Sequence, residues 1–452
     1  MFNKVLIANR GEIAVRIIRA CQEMGIATVA VYSEVDRYAL HVELADEAVC
    51  IGPAHASDSY LNQQQLLSAA VLTGAEAIHP GFGFLSENST FAAMCQDCQI
   101  AFIGPKHETI ELMGNKINAR KTMIDAGVPV IPGSDGKIAT LAEAKQIAET
   151  IGYPLMIKAA AGGGGKGIRK VLNQEELTSQ FQSAQQEALS AFGNDDMYIE
   201  KIIYPARHIE VQILGDQCGT IIHLGERDCS LQRHNQKVLE TAPAIDLPEK
   251  ARTDICQSAV MAANAVHYEN AGTIEFLVDE HDNFYFMEMN TRIQVEHPVT
   301  EMITGVDIVK KQIEIAYGMP LTLSQSDILV EGFSVECRIN AEDPSFNFAP
   351  VPGRLTHLHL PSGGMGLRVE SAMYSGCDIS PYYDSMVAKI ITHGTTKLEA
   401  FSKMQRALAE LRVEGIVTNK QFQQDLITDS TVLNGHYDTS FLEEKFLPKW
   451  FE

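Results

Sequence analysis

Two glutamates, Glu275 and Glu288, lie within apolar stretches whose composition is typical of the two arms of a β-hairpin. If residues 280–283 form the turn, its even length places the two side chains directly opposite each other, with Cβ atoms about 5 Å apart. Like charges so placed destabilise a bare sheet. A divalent cation would remove the conflict, because carboxylates are common magnesium ligands. The pair therefore predicts a metal site. The structural alternatives are one protonated glutamate, or a register that keeps the two apart.

Polar residues continue at every second position beyond this hairpin. In an extended chain they would all face one side, with Met289, Ile293 and Val295 on the other. The polar residues are Glu288, Asn290, Arg292, Gln294 and Glu296. Such a mixture of charges and amides on one face predicts a binding site. A solvated edge strand, which is the alternative, is typically rich in Lys or Thr.

A glycine-rich loop follows an apolar strand that ends in Lys158. Glycines 162–165 precede Lys166 and Gly167. The loop does not match the Walker pattern, because Ala160 replaces the first glycine and Gly167 replaces the final Ser or Thr. Glycines nevertheless allow backbone N–H groups to approach a phosphate closely and allow a segment to move. We expect a lid over a nucleotide; the alternative is a flexible surface hairpin.

Alternating strands and helices precede these motifs. Apolar runs predict strands at 4–8, 26–32 and 75–78, and helical periodicity predicts helices near 12–24, 60–72 and 88–98. This order indicates βαβ units and a parallel sheet through residue 114. An NAD site is not favoured, since the first turn has one glycine where the dinucleotide fingerprint has three.

Two further segments are expected. The second, 115–330, opens with helices near 115–126 and 140–151, is otherwise mostly strands, and includes the lid at about 131–203. The third, 331–452, has strands near 332–339, 354–360 and 386–393 and a helix at 397–408.

Bulk composition excludes several classes of function. The chain has 452 residues, 45% of them hydrophobic, and a net charge of −22 at pH 7. So acidic a surface repels phosphate backbones, and we expect no nucleic-acid partner. Because no apolar run approaches about 18 residues, we expect no membrane span. The N-terminal apolar run, residues 5–8, is too short for a signal-peptide core, so we expect no signal peptide. The nine cysteines form no framework, and a cytoplasmic protein with reduced thiols is expected.

The longer motifs resemble those of biotin carboxylases within the ATP-grasp superfamily. The matching stretches are residues 8–14, 79–88, 225–230, 288–301 and 383–386. The resemblance implies an α/β and α+β fold: an N-terminal parallel-sheet α/β domain, a central ATP-grasp domain with a mobile glycine-rich lid, and an α+β C-terminal domain.

The resemblance also implies roles at matched positions. Those resembling ATP ligands are Lys116, Lys158, Gly164, Gly165, Glu200, Lys201, Ile202, Ile203, His208, Glu275 and Glu288. Those resembling magnesium ligands are Glu275, Glu288 and Asn290. The bicarbonate site would comprise Lys237, Arg292, Gln294, Val295 and Glu296, and Arg338 would face biotin. Arg292, Glu296, Arg338 and Lys237 would be catalytic, with Glu296 the general base. Asn235 replaces a histidine of many relatives, so His234 and Asn235 receive no role.

The implied reaction is carboxylation of biotin by ATP and bicarbonate through carboxyphosphate, with two Mg²⁺ ions, or Mn²⁺, as cofactors. No Met-Lys-Met biotinylation motif occurs in the sequence, so a separate biotin carboxyl carrier protein and a carboxyltransferase subunit are expected. Arg19 and Glu23 resemble homodimer contacts. The expected setting is the first half-reaction of acetyl-CoA carboxylase. The alternatives are another acyl-CoA, pyruvate or urea carboxylase, a different ATP-grasp ligase, and a protein that senses ATP without turnover.

Overall fold

The computed structural model describes residues 1–159 and 167–452. Its N-terminal part is a five-stranded parallel sheet in the order β3-β2-β1-β4-β5. The strands are β1 Lys4–Ile7, β2 Ala27–Ser33, β3 Glu47–Gly52, β4 Ala77–His79 and β5 Ala101–Phe102. The helices are α1 Gly11–Glu23, α2 Leu40–Leu44, α3 Gln63–Thr73, α4 Ser89–Asp97 and α5 His107–Gly114. The predicted parallel α/β organisation is confirmed.

A small three-stranded antiparallel sheet, ordered β7-β6-β8, packs with two helices in the region predicted to be the lid. Its strands are β6 Leu155–Ala159, β7 Ile168–Val171 and β8 Met197–Lys201, and the two helices are α7 Leu141–Ile151 and α8 Gln174–Phe192. Helix α6, Lys116–Asp125, precedes this region. Gly164 and Gly165 lie outside the described residues.

An eight-stranded antiparallel sheet runs without a break from the central region into the C-terminal region, in the order β13-β12-β9-β10-β11-β14-β21-β19. Its central strands are β9 Ala206–Gly215, β10 Ile221–Arg233, β11 Gln236–Ala242, β12 Asn270–Asp279 and β13 Phe284–Asn290. The C-terminal strands are β14 Phe333–Asn340, β19 Leu367–Glu370 and β21 Met386–Gly394. Pairing of β11 with β14 joins the two regions, so side chains from both can meet on one sheet.

Helices and short strands cover this sheet. The helices are α9 Glu249–Ala265, α10 His297–Thr304, α11 Ile308–Ala316, α12 Lys397–Glu410, α13 Lys420–Leu426, α14 Ser430–Asn434 and α15 Leu447–Trp450. The short strands are β15 Glu342–Asp343, β16 Ala349–Pro350, β17 Gly353–Arg354, β18 His357–His359, β20 Asp378–Ile379 and β22 Arg412–Glu414. None of the helices in the described ranges has the length and apolar character needed to cross a bilayer.

Two predictions about secondary structure were wrong. The central segment was expected to be mostly strands after its first two helices, yet α8 and α9 have 19 and 17 residues. The buried face of α9 is largely alanine, serine and cysteine, which gives little contrast with its polar face. The single strand predicted at 354–360 is two strands, because Leu355 N–H bonds to the Cys377 carbonyl and Thr356 N–H to that of Glu414. The chain changes partner between those two residues.

Candidate active site

A cavity of about 1480 Å³ lies where the three parts of the chain meet. Glu87 from the N-terminal part contributes to its wall, and so do residues of the small sheet and of both halves of the large sheet. Most of the predicted site residues line this one cavity: Lys116, Lys158, Glu200, His208, Lys237, Glu275, Glu288, Asn290, Arg292, Gln294, Val295, Glu296 and Arg338. Lys201, Ile202 and Ile203 are not among its described lining residues. The Lys201 ammonium instead donates to the Tyr153 carbonyl at 2.9 Å.

The hairpin places Glu275 opposite Glu288, as predicted. The turn, however, is one residue longer than expected, because Val278 pairs with Phe284. A register shift between Glu275 and Phe276 inserts an extra residue, Met287, into the second strand. The bulge compensates for the longer turn, so the two carboxylates oppose each other for a different reason from the one predicted.

The two carboxylates differ in their surroundings. Glu275 lies 3.0 Å from the Lys237 ammonium and 3.3 Å from His208 Nε2, and it accepts hydrogen bonds at 2.8 Å from the amides of Asn290 and Gln294. Glu288 makes no hydrogen bond or ion pair within the described ranges. Burial and then the charge of Glu275 raise the pKa of Glu288. A half-buried carboxylate with no such partner, beside a second carboxylate, fits a divalent cation, which would neutralise both.

A neighbouring cluster is less suited to a metal. Ligand atoms of His208, Glu210 and Glu275 lie within 4.8 Å of one another. Glu210, however, is already paired with the Lys237 ammonium at 2.5 Å and with Arg227 Nε at 2.6 Å. These cations offset the charge of Glu210, so the side that carries Glu288 is the better cation site.

The segment after the hairpin is not an extended strand, contrary to the prediction. Strand β13 ends at Asn290, where pairing with β12 stops. The chain turns, and Glu296, at φ −83° and ψ 8°, precedes helix α10, whose first turn contains a proline. Arg292, Gln294 and Glu296 still line the cavity, and so does Val295, which strict alternation places on the opposite face. The turn, rather than the two-residue period, gathers these groups.

Glu296 lies between two cations. Its carboxylate is 2.6 Å from the Lys237 ammonium and 2.9 Å from the Arg338 guanidinium, and only 2% of the residue is exposed. Burial raises the pKa of Glu296, but the positive charges of Lys237 and Arg338 outweigh burial and lower it below the ordinary value of 4.5. The carboxylate is therefore ionised at neutral pH and can accept a proton.

Lys237 connects this carboxylate to the hairpin. Its ammonium contacts Glu210, Glu275 and Glu296 at 2.5, 3.0 and 2.6 Å. Burial lowers the pKa of Lys237, but the three carboxylates outweigh burial and raise it well above 10.5. The lysine is therefore a fixed positive charge between the candidate metal site and the candidate base.

The cavity wall also carries groups suited to a nucleotide. Lys158 lies 2.6 Å from a Glu200 oxygen and 5.7 Å from the centre of the Tyr198 ring. Lys116 is the first residue of α6, and Asn115 caps this helix by accepting from the Ile117 and Asn118 N–H groups. A lysine at a helix N-terminus favours an anion, since the helix dipole adds to its charge.

Three residues of the site had no role in the sequence analysis. Arg227 is fully buried and donates to Gln294 Oε1 at 2.8 Å and to Glu210 Oε1 at 2.6 Å. Glu87 pairs with Arg292 at 2.8 Å. The available signal for Glu210 was a carboxylate between the apolar residues Ile209 and Val211, the same signal that singled out Glu275. Arg227 lies between Glu226 and Asp228, so charge within an apolar run could not single it out. Glu87 lies in a loop and gave no such signal.

Comparisons with known proteins agree with this architecture. The family model described as "Biotin carboxylase, N-terminal domain" matches residues 1–110, "Carbamoyl-phosphate synthase L chain, ATP binding domain" matches 115–324, and "Biotin carboxylase C-terminal domain" matches 336–444. Biotin carboxylase 1 of Bacillus subtilis is 56% identical over 444 residues, which cover 98% of each chain. The 2-oxoglutarate carboxylase small subunit of Hydrogenobacter thermophilus is 51% identical, over 98% of this chain and 94% of its own.

Solved structures extend the agreement to three dimensions. The biotin carboxylase domain dimer of the Hydrogenobacter thermophilus 2-oxoglutarate carboxylase, in complex with MgADP, ADP and bicarbonate, has a TM-score of 0.94 and 51% identity over 100% of this chain and 99% of its own. A biotin carboxylase complex from Campylobacter jejuni has a TM-score of 0.94 and 48% identity over 98% and 99% of the two chains. Fold and site thus define an ATP-grasp enzyme. The chain belongs to the biotin carboxylase family of ATP-dependent ligases.

Proposed function

We propose that this enzyme uses ATP and bicarbonate to carboxylate biotin on a separate carrier protein, through a carboxyphosphate intermediate. The observation that carries the proposal is the position of Glu296, a buried ionised carboxylate between Lys237 and Arg338. A base in this position adjoins both the glutamate pair and the C-terminal strand β14. One cavity can therefore accommodate metal–ATP, bicarbonate and biotin together.

The first step activates bicarbonate. Lys237, Arg292 and Gln294 line the wall next to Glu296, and their N–H groups suit a small oxyanion. Arg292 is oriented by its bonds to Glu87 at 2.8 Å and to Asn290 Oδ1 at 3.0 Å. Glu296 accepts the bicarbonate proton, and the oxyanion attacks the γ-phosphorus as ADP departs.

Positive charge supports this transfer. Lys116, Lys158 and Lys237 offset the charge that gathers on the phosphoryl oxygens. Glu275, Glu288 and Asn290 would hold the divalent cations, two of Mg²⁺ or Mn²⁺, whose bound charge offsets that of the phosphates. His208 and Glu200 also line the cavity. We include Lys201, Ile202, Ile203, Gly164 and Gly165 in the proposed ATP site on the family resemblance alone.

The second step transfers the carboxyl group. Carboxyphosphate divides into CO2 and phosphate, and phosphate removes the proton of the ureido nitrogen of biotin. That nitrogen attacks CO2, while Arg338 stabilises the negative ureido oxygen. Arg338 suits this role because it projects into the cavity from β14 and Glu240 holds its Nε at 2.6 Å.

The physiological setting we propose is acetyl-CoA carboxylase, with a biotin carboxyl carrier protein, a carboxyltransferase subunit and a homodimer of this chain. Arg19 and Glu23 are both exposed on α1, where Glu23 pairs with Lys310 at 2.6 Å, and a dimer contact there is part of the proposal. The Hydrogenobacter relative is a 2-oxoglutarate carboxylase subunit, so a different final acceptor is the alternative. Reconstitution with each carboxyltransferase would distinguish the two.

Kinetics of ADP release test the proposal. The wild type should release ADP only with bicarbonate, and faster with free biotin. Glu296→Gln should lower that rate by about 10²- to 10⁴-fold, since the general base is lost. Glu280→Gln, on the exposed turn of the same hairpin, is the matched control and should leave the rate unchanged. A wild-type rate that ignores bicarbonate, or that an amine rather than biotin stimulates, would contradict the proposal.

A further inference from the structure

The backbone that carries Glu296 belongs to no strand between Asn290 and α10. Two side chains that are not among the residues lining the cavity hydrogen-bond to this backbone. The His297 ring donates from Nδ1 to the Gln294 carbonyl at 2.7 Å, and the Lys389 ammonium donates to the Val295 carbonyl at 2.8 Å. The placement of the candidate base therefore depends on contacts from outside its own segment.

Lys389 is unusual among these contacts because it is a fully buried charge. It is 0% exposed and lies in the middle of β21. Its ammonium is 3.1 Å from Glu12 of α1 and 3.0 Å from Glu370 of β19. A lone buried ammonium is costly, so these two carboxylates keep the lysine charged and hold its donor towards Val295. Glu12, part of the sequence motif at 8–14, thereby receives a role.

Register gives this lysine a specific relation to the site. Lys389 and Arg338 are direct partners across β21 and β14, and directly opposed residues of an antiparallel pair project from the same face. Arg338 holds the side chain of Glu296 at 2.9 Å, while Lys389 holds the preceding carbonyl at 2.8 Å. Two neighbouring strands thus fix one dipeptide, Val295–Glu296, at its backbone and at its carboxylate.

We propose that Lys389 is a positioning residue for the reaction: it anchors the Val295 carbonyl and so fixes the Glu296 carboxylate and the bicarbonate pocket beside it. The inference rests on the proposed function, in which Glu296 is the base for bicarbonate. Glu12 and Glu370, from the N-terminal and C-terminal parts, orient the lysine. Correct packing of all three parts of the chain is therefore a condition for a competent base.

Lys389→Met tests the inference, because methionine keeps an unbranched side chain that is only one atom shorter and removes the donor. We expect kcat/KM for bicarbonate to fall by about tenfold to a hundredfold, as a small displacement of a reacting group does. The KM for MgATP should stay within about twofold, since the contacts of Lys389 are with Val295, Glu12 and Glu370 and not with the proposed nucleotide ligands. Lys389→Met with Glu370→Gln removes one charge of each sign, and it provides the same measurement if the single variant is unstable.

Arg368→Met is the matched control. Arg368 belongs to the same ion-pair network, through Glu301 at 2.7 Å and through Glu370, but it makes no hydrogen bond to residues 294–296. It should lower the melting temperature while keeping kcat/KM for bicarbonate. Equal kinetic losses in Arg368→Met and Lys389→Met, or wild-type kinetics in a folded Lys389 variant, would overturn the inference. Either result leaves the bicarbonate dependence of the wild type, and hence the proposed function, intact.

Discussion

Glu288→Gln should make the metal-free protein more stable while it abolishes activity. Burial and the opposing charge of Glu275 raise the pKa of Glu288 above 4.5. The folded state thus holds this proton more tightly than the unfolded state does. When the pKa of an acid rises on folding, the free energy of unfolding falls as the pH increases towards and through the pKa of the folded state. The gain from glutamine should therefore be small in acid and grow as pH rises above the ordinary glutamate pKa of 4.5.

The size of the gain follows from the geometry. Two unit charges about 5 Å apart repel by about 3 kcal/mol at an effective dielectric constant of about 20. Lys237 and His208 contact Glu275 and offset part of this repulsion, and like charges directly opposed across strands cost up to about 1 kcal/mol. We expect a gain of about 1 kcal/mol, or about 2 °C in melting temperature for a domain of this size.

Thermal unfolding followed by circular dichroism measures this gain. In chelator at about pH 8, Glu288→Gln should melt above the wild type, and Glu280→Gln on the exposed turn should match the wild type. Added Mg²⁺ with a non-hydrolysable ATP analogue should stabilise the wild type and reverse the order, because the variant lacks a ligand. The reasoning would be refuted if the variant melted below the wild type in chelator and its melting temperature rose as much as that of the wild type on adding Mg²⁺ and the ATP analogue.

Three further substitutions have distinct expected outcomes. Arg338→Ala should reduce the biotin-stimulated rate of ADP release by about a hundredfold, whereas an equal rate with and without the substitution would contradict the role in biotin activation. Arg227→Met leaves Glu210 with one cation fewer in a fully buried site, and chemical denaturation should show a loss of about 3–5 kcal/mol. Burial raises the pKa of Glu240 to about 7, even with Arg338 beside it. Because the folded state holds the proton of Glu240 more tightly than the unfolded state does, the free energy of unfolding falls as the pH rises through 7. Glu240→Gln should therefore raise the melting temperature at about pH 8 and not at about pH 5.

The N-terminal fold could be predicted because its signals are local. Short apolar strands and amphipathic helices alternate there, and β1, β2 and β4 lie within two residues of their predicted bounds. Helix α9 could not be predicted in this way, because small residues on its buried face give little periodic contrast. The continuity of the large sheet is also invisible in sequence, since the pairing of β11 with β14 joins residues about a hundred positions apart.

The site was predictable in composition but not in geometry. A carboxylate within an apolar strand is costly, and that cost singled out Glu275 and Glu288. The turn at 291–296 was missed because alternation of polar and apolar residues is typical of a strand, and tertiary contacts override it here. Lys389 could not be found from sequence, because its partners Glu12 and Glu370 lie in distant segments.

A crystal structure with Mg²⁺, a non-hydrolysable ATP analogue and bicarbonate tests the central claim most directly. We predict metal density bridging the carboxylates of Glu275 and Glu288, with a planar anion bound by Lys237 and Arg292 within hydrogen-bond distance of Glu296. Metal and nucleotide bound away from the two hairpin glutamates, or an anion out of reach of Glu296, would contradict it.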